Sequence, residues 1–324
     1  MKFRRNTIIG ISFAILAIGI IICFSIQYLS HRNDSTQGTV MLESFDKKHY
    51  EWESKDGIST FSIPDKNINI RSFYVSPDEK ILLQNYHIRL EEDESGAVIS
   101  NVGNFLYEWN KKDEKFKYIK CLNYIEDNKM LLSEDKIIYT RTDGSIREYF
   151  CGNISDGAIN YIAPLLLEDK DIYLDLCMAI YDNTVFFAGW SEEGEKYCYY
   201  MGTIKGSVIC DIKKADFIDE EETVEQISFL GSSSMILAQI MDGDYHKEYM
   251  IIELSGTDES VEAKRTIAGL GFLNGDLRSI SYICAHKEKD VIYYIDDNNT
   301  IYKTSLSDFI EKSIEEGKKI EREQ

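Results

Sequence analysis

Histidines and carboxylates are the residues of this chain that could perform acid–base or metal chemistry. Its five histidines, His31, His49, His87, His246 and His286, are scattered, and none has a second ligand at metal-binding spacing. The sequence contains no Gly-x-Ser-x-Gly elbow, no His-Glu-x-x-His motif, no phosphate-binding glycine loop and no dinucleotide fingerprint. Carboxylates are too numerous for one pair to be singled out. The sequence therefore predicts no catalytic, metal or cofactor-binding residues, and it favours a non-catalytic protein.

Three acidic turns have a composition that calcium also uses. They are Thr142-Asp143-Gly144-Ser145, Asp242-Gly243-Asp244 and Asp296-Asp297-Asn298-Asn299. A calcium loop needs six or more oxygen ligands at ordered spacing, and none of these turns follows the EF-hand pattern. The same residue types tolerate the positive φ that tight hairpins require. We interpret the three segments as hairpin turns, with calcium binding as the alternative.

The elements that must position these residues are short apolar strands, which recur along the body. Five compact runs begin at Ile81, Ile137, Val185, Met235 and Val291, at intervals of roughly 50 residues. Each follows another apolar run, and one or two further strand-like runs complete most of the units. Such a unit is a β-propeller blade, so we predict an all-β propeller of about six blades over residues 39–307. Residues 39–63 would form or close the sixth blade with the C-terminal strands. A plain β-sandwich or two small β domains are the alternatives.

One of these turns has a family resemblance. Ser76-Pro77-Asp78-Glu79, with the strand that follows it, resembles the Ser-Pro-Asp-Gly turn of TolB-like, WD40-like propeller repeats, and Ser133-Glu134-Asp135-Lys136 is a degraded second copy. Glu79 occupies the position at which the family has Gly. The resemblance implies a propeller fold and no activity. Propellers of that family commonly serve as protein-binding platforms or as the non-catalytic domain beside a peptidase.

The N-terminus has the pattern of a membrane anchor. Lys2, Arg4 and Arg5 precede an uncharged apolar run from Thr7 to Leu29. As a helix this run is about 34 Å long, enough to cross a hydrocarbon core about 30 Å thick. No small-residue cleavage site follows, which favours an uncleaved signal anchor over a cleaved signal peptide. The charge bias predicts a cytosolic N-terminus (1–6), an anchor (7–29), a tether (30–38) and an extracytoplasmic body.

Composition restricts the partners of this body. The formal net charge is −20, which disfavours nucleic acid because its phosphates would be repelled. The cysteines stand singly and are expected to behave as small hydrophobic residues. Residue usage resembles that of low-GC bacteria, so we expect a single-pass protein of a bacterial cell membrane. The last segment, 308–324, is predicted to be a C-terminal helix or a charged tail.

Two functions remain open at this point. The first is a membrane-anchored, extracytoplasmic propeller that acts as a non-catalytic binding or scaffolding module for a protein, peptide or glycan near the membrane. Trp190, Tyr199 and Trp109 are its candidate aromatic anchors. The alternative is a cell-surface hydrolase or lyase that uses the central channel of the propeller. That enzyme would need two carboxylates or a histidine at the ends of the inner strands, facing the channel.

Overall fold

A computed structural model of the chain describes residues 50–323, apart from 56–57, 64–68, 93–97, 113, 123–129, 144–145, 156–157, 192–195, 258–259 and 275–276. The predicted anchor, Thr7–Leu29, lies outside these residues, as do Lys2, Arg4 and Arg5 and the predicted tether. Within the described residues, no helix is both long enough and apolar enough to cross a bilayer.

The described part of the chain consists mainly of β-strands and ends in an α-helix, α1 (Leu306–Glu323). The strands are, in chain order, β1 (Glu53–Lys55), β2 (Ile58–Ser62), β3 (Ile70–Val75), β4 (Ile81–Glu92), β5 (Val98–Asn110), β6 (Lys115–Leu122), β7 (Leu131–Leu132), β8 (Lys136–Asp143), β9 (Ile146–Ser155), β10 (Ala158–Pro164), β11 (Leu166–Leu167), β12 (Ile172–Tyr181), β13 (Thr184–Ser191), β14 (Lys196–Lys205), β15 (Val208–Lys214), β16 (Thr223–Ser232), β17 (Met235–Met241), β18 (Lys247–Thr257), β19 (Ser260–Ala268), β20 (Ile283–His286), β21 (Val291–Ile295) and β22 (Thr300–Ser305).

These strands form five sheets, which are the blades of a propeller. Blade 1 contains β3–β6, blade 2 β7–β10, blade 3 β12–β15, blade 4 β16–β19 and blade 5 β20–β22, and neighbouring strands in these runs are antiparallel. β11 adds a parallel strand to the outer edge of blade 3. The inner strands β3, β7, β12, β16 and β20 each contact the next, and β20 contacts β3. The ring is therefore closed, and the predicted all-β propeller is confirmed.

The prediction of about six blades is wrong, because the propeller has five. The two N-terminal strands do not form a separate blade. β2 pairs antiparallel with β22, with Phe61 opposite Ile301, and β1 pairs with β2 at the outer edge. Blade 5 thus combines strands from both ends of the described chain. This pairing closes the ring with hydrogen bonds between segments that are far apart in sequence.

The five compact apolar runs become the second strand of each blade, namely β4, β8, β13, β17 and β21. In β13, Val185, Phe186 and Phe187 are all fully buried although consecutive side chains point to opposite faces of the sheet. Burial on both faces requires a cover on each side of the strand. The neighbouring blades supply it, which explains why these runs are continuously apolar rather than alternating.

The hydrophobic core is divided among the contacts between blades. Phe187 packs with Ile138 between blades 2 and 3, and Phe186 packs with Ile236 between blades 3 and 4. Blades 5 and 1 meet through aromatic rings, with the Phe61 ring 5.1 Å from that of Trp109. Full burial of one such side chain contributes about 1.5–3 kcal/mol. The contacts between blades are therefore a main source of stability.

Helix α1 covers the outer edge of blade 4. At its start, the Asp290 carboxylate accepts a hydrogen bond from the backbone amide of Ser307 at 2.8 Å, a favourable charge for a helix N-terminus. Phe309 enters the core between blades 4 and 5. Gly317 lies against the carbonyl of Ile267 in β19, where a Cβ atom would overlap the oxygen. The helix thereby protects a sheet edge that would otherwise be open.

The ring has two faces. We call the face at which the inner strands begin the upper face, and the face at which they end the lower face. The described segments that cross from the outer strand of one blade to the inner strand of the next lie on the upper face. The turns between inner and second strands lie on the lower face.

Candidate functional site

The Ser76-Pro77-Asp78 motif forms the lower-face turn of blade 1. The Ser76 hydroxyl donates to the Asp78 carboxylate and accepts a hydrogen bond from the Lys80 amide at 3.0 Å. The amide of Glu79 donates to the carbonyl of Ser76 at 2.9 Å, and Glu79 adopts a left-handed conformation with φ of 68°. This is the conformation for which Gly is favoured, so the Gly of the family pattern has a direct physical reason.

Glu79 uses its side chain to join the first and last blades. Its carboxylate binds Lys303 of β22 at 2.6 Å and Lys111 of blade 1 at 2.8 Å. Partial burial acts against the charge, but the hydrogen bonds from Lys111 and Lys303 hold the pKa of Glu79 below its usual value. The motif turn therefore contributes to ring closure, and it does not form a ligand site.

The acidic turns use their carboxylates for local structure. Asp242 accepts hydrogen bonds from the amides of Asp244 and His246, both at 2.9 Å. Asp296 accepts from the amides of Asn298 and Thr300 at 2.9 and 2.8 Å. Among the described residues, no three His, Cys, Asp or Glu side chains are grouped as metal ligands would be. These two turns have the geometry expected of hairpin turns.

The lower half of the central channel contains the groups that the enzyme alternative requires. Asp182, at the end of β12, lines a cavity of about 60 Å³. His286 is buried beside it, and its Nε2 hydrogen-bonds the Val75 carbonyl at 2.5 Å. Burial lowers the pKa of His286 and raises that of Asp182. The cavity holds only a few water molecules, whereas small-molecule sites usually enclose about 300–1,000 Å³. The described residues thus place a carboxylate at, and a histidine near, a cavity that is smaller than a typical small-molecule site.

A larger cavity, of about 180 Å³, lies in the upper half of the channel. Its walls come from blades 2, 3 and 4 and include Thr140, Tyr149, Leu176, Cys177 and Glu225. The Thr140 hydroxyl is buried and, among the described residues, has no hydrogen-bond partner. Burial raises the pKa of the Cys177 thiol, which leaves it protonated and unreactive. Leu176 is 41% exposed, so the cavity reaches the surface at this wall.

An exposed row of aromatic side chains lies on blade 3 at the upper face. Tyr173 of β12 is opposite Trp190 of β13, which is opposite Tyr197 of β14. The three side chains therefore share one face of the sheet, and they are 56%, 39% and 56% exposed. The rings of Trp190 and Tyr197 are 5.9 Å apart at an angle of 68°. We call these three residues the aromatic row.

Asp175 connects the aromatic row with the upper cavity. It sits at a bulge in β12, between Leu174 and Leu176. Its carboxylate accepts a hydrogen bond from Tyr197; partial desolvation and this bond raise the pKa of the Tyr197 phenol. The carbonyl of Asp175 accepts a hydrogen bond at 2.9 Å from Tyr149, which lines the cavity. Asp175 therefore contacts both Tyr197 of the aromatic row and Tyr149 of the cavity wall.

The segments that border this site are acidic. The crossing segment before β16 and the start of that strand (216–225) contain Asp216, Asp219, Glu220, Glu221, Glu222 and Glu225 and no basic residue. Arg265 of β19 holds this segment in place by binding Glu222 through two nitrogens, at 2.9 and 2.5 Å. Lys247 pairs with Glu225 at 2.7 Å. The upper face thus presents aromatic rings next to a negative potential.

Of the three aromatic anchors proposed from sequence, only Trp190 is exposed. Trp109 is 3% exposed and donates its indole N–H to the carbonyl of Tyr50 at 3.1 Å. Tyr199 stacks on Phe186 in the core, and its hydroxyl accepts a hydrogen bond from the amide of Val224. Sequence reasoning missed Tyr173 and Tyr197. Trp190 and Tyr197 stand at equal distances in the sequence from the polar stretch 192–195, and this spacing is the signal that predicts their pairing.

No protein-family model and no curated protein sequence matches this chain. Solved structures similar to it include TolB from Acinetobacter baumannii, with 11% identity, a TM-score of 0.42, and coverage of 76% of this chain and 59% of that one. Another is MPT-4, a mannose phosphorylase from Leishmania mexicana, with 14% identity, a TM-score of 0.37, and coverage of 85% and 93%. The chain spans just under three fifths of the TolB structure. The resemblance to TolB-like propellers holds for the fold.

Proposed function

We propose that this chain is a non-catalytic binding module and that the upper face of its propeller contacts a protein, peptide or glycan partner. The observation that carries the proposal is the exposed aromatic row of Tyr173, Trp190 and Tyr197. Trp and Tyr are the residues at which binding energy most often concentrates. Three of them in register on one sheet face remain 39–56% exposed, so a partner would gain by covering them.

The dimensions of the channel support binding at a surface rather than catalysis in an enclosed pocket. The cavities of about 60 and 180 Å³ are both smaller than a typical small-molecule site. His286, the described histidine nearest to the channel, already hydrogen-bonds a backbone carbonyl. These observations favour the binding module over the hydrolase or lyase.

The test is a binding screen of the full-length protein, purified in detergent, on arrays of immobilised glycans and of immobilised peptides. Trp190→Ala is the site variant. Tyr161→Ala is the matched control, because Tyr161 is 50% exposed on β10, the outer strand of blade 2. We expect signals that Trp190→Ala weakens about tenfold or more and that Tyr161→Ala leaves unchanged. If no wild-type signal exceeds that of Trp190→Ala on either array, the proposal is refuted.

We also propose that Thr7–Leu29 anchors the protein in the cell membrane as a single span, with the N-terminus in the cytosol and the propeller outside. The length of the apolar run and the three cations before it support this. Full-length protein should stay in the membrane pellet after an alkaline carbonate wash, and protease added to intact cells should degrade the propeller. Recovery of the intact full-length chain in the soluble fraction would contradict the proposal.

A further inference from the structure

The upper cavity and the aromatic row together suggest the chemistry of the partner. The cavity, of about 180 Å³, has the volume of about six water molecules, which suits a single long side chain and not a larger ligand. Its wall carries the buried hydroxyl of Thr140, which is 8% exposed and has no hydrogen-bond partner among the described residues. The oxygen of this hydroxyl can accept a hydrogen bond from a donor group of a ligand that enters the cavity.

The negative charges around the cavity favour a positively charged donor. Glu225 is part of the cavity wall, and Asp175 directly precedes Leu176, the exposed wall residue at the mouth. Glu225 Oε1 already pairs with Lys247, but a carboxylate has two oxygens and can accept from a second cation. The chain as a whole carries a net charge of −20, which attracts cations and repels anions before contact.

The aromatic row extends the site beyond the cavity. Its three rings line a path across three neighbouring strands, and the faces of Trp and Tyr attract cations as well as apolar groups. A peptide whose basic side chain occupied the cavity would place its flanking residues on this path. A glycan could stack on the rings, but it has no positive charge for Asp175 and Glu225.

We propose that the upper face binds a basic peptide segment, with one Lys or Arg side chain in the cavity beside Thr140 and Glu225 and the flanking residues on the aromatic row. This inference rests on the proposed function and names the class of partner. The side-chain cation donates hydrogen bonds to the hydroxyl of Thr140 and to the carboxylate of Glu225. Asp175 contributes charge at the mouth.

The probes are four sets of immobilised peptides that differ only at a central Arg, Lys, Gln or Glu, tested with the full-length protein in detergent at low and high salt. We expect binding to the Arg and Lys sets, weaker binding at high salt, and no binding to the Gln and Glu sets. Thr140→Val should weaken binding about tenfold by removing a hydrogen bond to a charged group. Asp175→Asn should weaken it about three- to fivefold.

Glu311→Gln is the charge-matched control, because Glu311 is exposed on α1, which packs against β19, β21 and β22 of blades 4 and 5. It should leave binding unchanged. Thr140→Val should not lower the urea midpoint, because it removes a buried hydroxyl without a partner. Equal binding of the Gln and Arg peptides, or equal losses in Asp175→Asn and Glu311→Gln, would overturn the inference.

The failure of this inference is distinguishable from the failure of the proposed function. Binding on the glycan array that depends on Trp190, together with no binding to the basic peptides, would refute the basic peptide and leave the binding module standing. No Trp190-dependent signal with any probe would refute both.

Discussion

Comparing Glu79→Gly with Glu79→Ala separates two contributions to stability at the lower-face turn of blade 1, that of the backbone conformation and that of the side-chain ion pairs. Glu79 pairs with Lys303 and Lys111, whose side chains are 32% and 66% exposed. The first pair is the better shielded one. We assign about 1 kcal/mol to it and a few tenths of a kcal/mol to the second, in line with partly exposed ion pairs.

The backbone term changes in only one of the two variants. With φ of 68°, a residue other than Gly pays about 1 kcal/mol at this position. Glu79→Ala keeps that cost and loses both pairs, so it should lower the free energy of unfolding by about 1–1.5 kcal/mol. Glu79→Gly loses the same pairs but is relieved of the backbone cost, so it should be within about 0.5 kcal/mol of the wild type.

The assay is urea unfolding of the full-length chain in detergent, followed by tryptophan fluorescence. Trp109 lies in the aromatic contact between blades 5 and 1, next to Phe61, so its emission reports on ring closure. Glu79→Gln, which keeps the backbone cost but removes the charge, is expected to fall between Glu79→Ala and the wild type. Equal destabilisation by Gly and Ala would refute the backbone argument, and a wild-type midpoint for Ala would refute the contribution of the ion pairs.

Two further predictions concern the helix and the channel. Gly317→Ala should lower stability in spite of the better helix propensity of Ala, because its Cβ would overlap the Ile267 carbonyl. The control Ser313→Ala, on the same buried side, removes a hydroxyl without a partner among the described residues and should be neutral or stabilising. A urea midpoint at or above wild type for Gly317→Ala would contradict this. The pKa of His286 is lower in the folded than in the unfolded chain, so the unfolded chain takes up the proton first as the pH falls. Stability should therefore fall as the pH drops below about 6.5 and level off below the folded-state pKa. His286→Gln, which can still donate to Val75, should lose less stability than the wild type between pH 7.5 and 5.5, and equal losses would show that His286 is not responsible.

The repeating strands could be predicted because their signal is local. The second strand of each blade is continuously apolar, as at Val185–Phe187, and the spacing of these runs predicts the blades directly. The number of blades could not be read in the same way. The alternation in β2 suits an outer strand of any blade, and its pairing with β22 is set by the closure of the ring, which joins Phe61 to Ile301 across the whole chain.

The candidate site could be predicted only in part, because its third ring depends on the register between two strands. Trp190 and Tyr197 lie on consecutive antiparallel strands, at equal distances in the sequence from the polar stretch 192–195, and they pair with each other. Tyr173 reaches the same row only because β12 contains two register shifts relative to β13, at Leu174/Leu176 and Cys177/Ala179. Bulges of this kind leave no fixed sequence pattern, and residue type alone does not separate exposed Tyr197 from buried Tyr199.

The two faces of the ring differ in what their polar residues do. On the lower face, Glu79 and His286 are committed to contacts that hold blade 5 against blade 1. On the upper face, Asp175 and the aromatic row lie on blade 3, away from the blade 5–blade 1 contact, and no closing contact depends on them. Upper-face variants should therefore change binding with little change in the urea midpoint, and lower-face variants should do the reverse. Because stability is assigned to the lower face of the ring and binding to the upper face, a variant such as Trp190→Ala that unfolded the protein would argue against this division, and with it against the upper face as a binding surface.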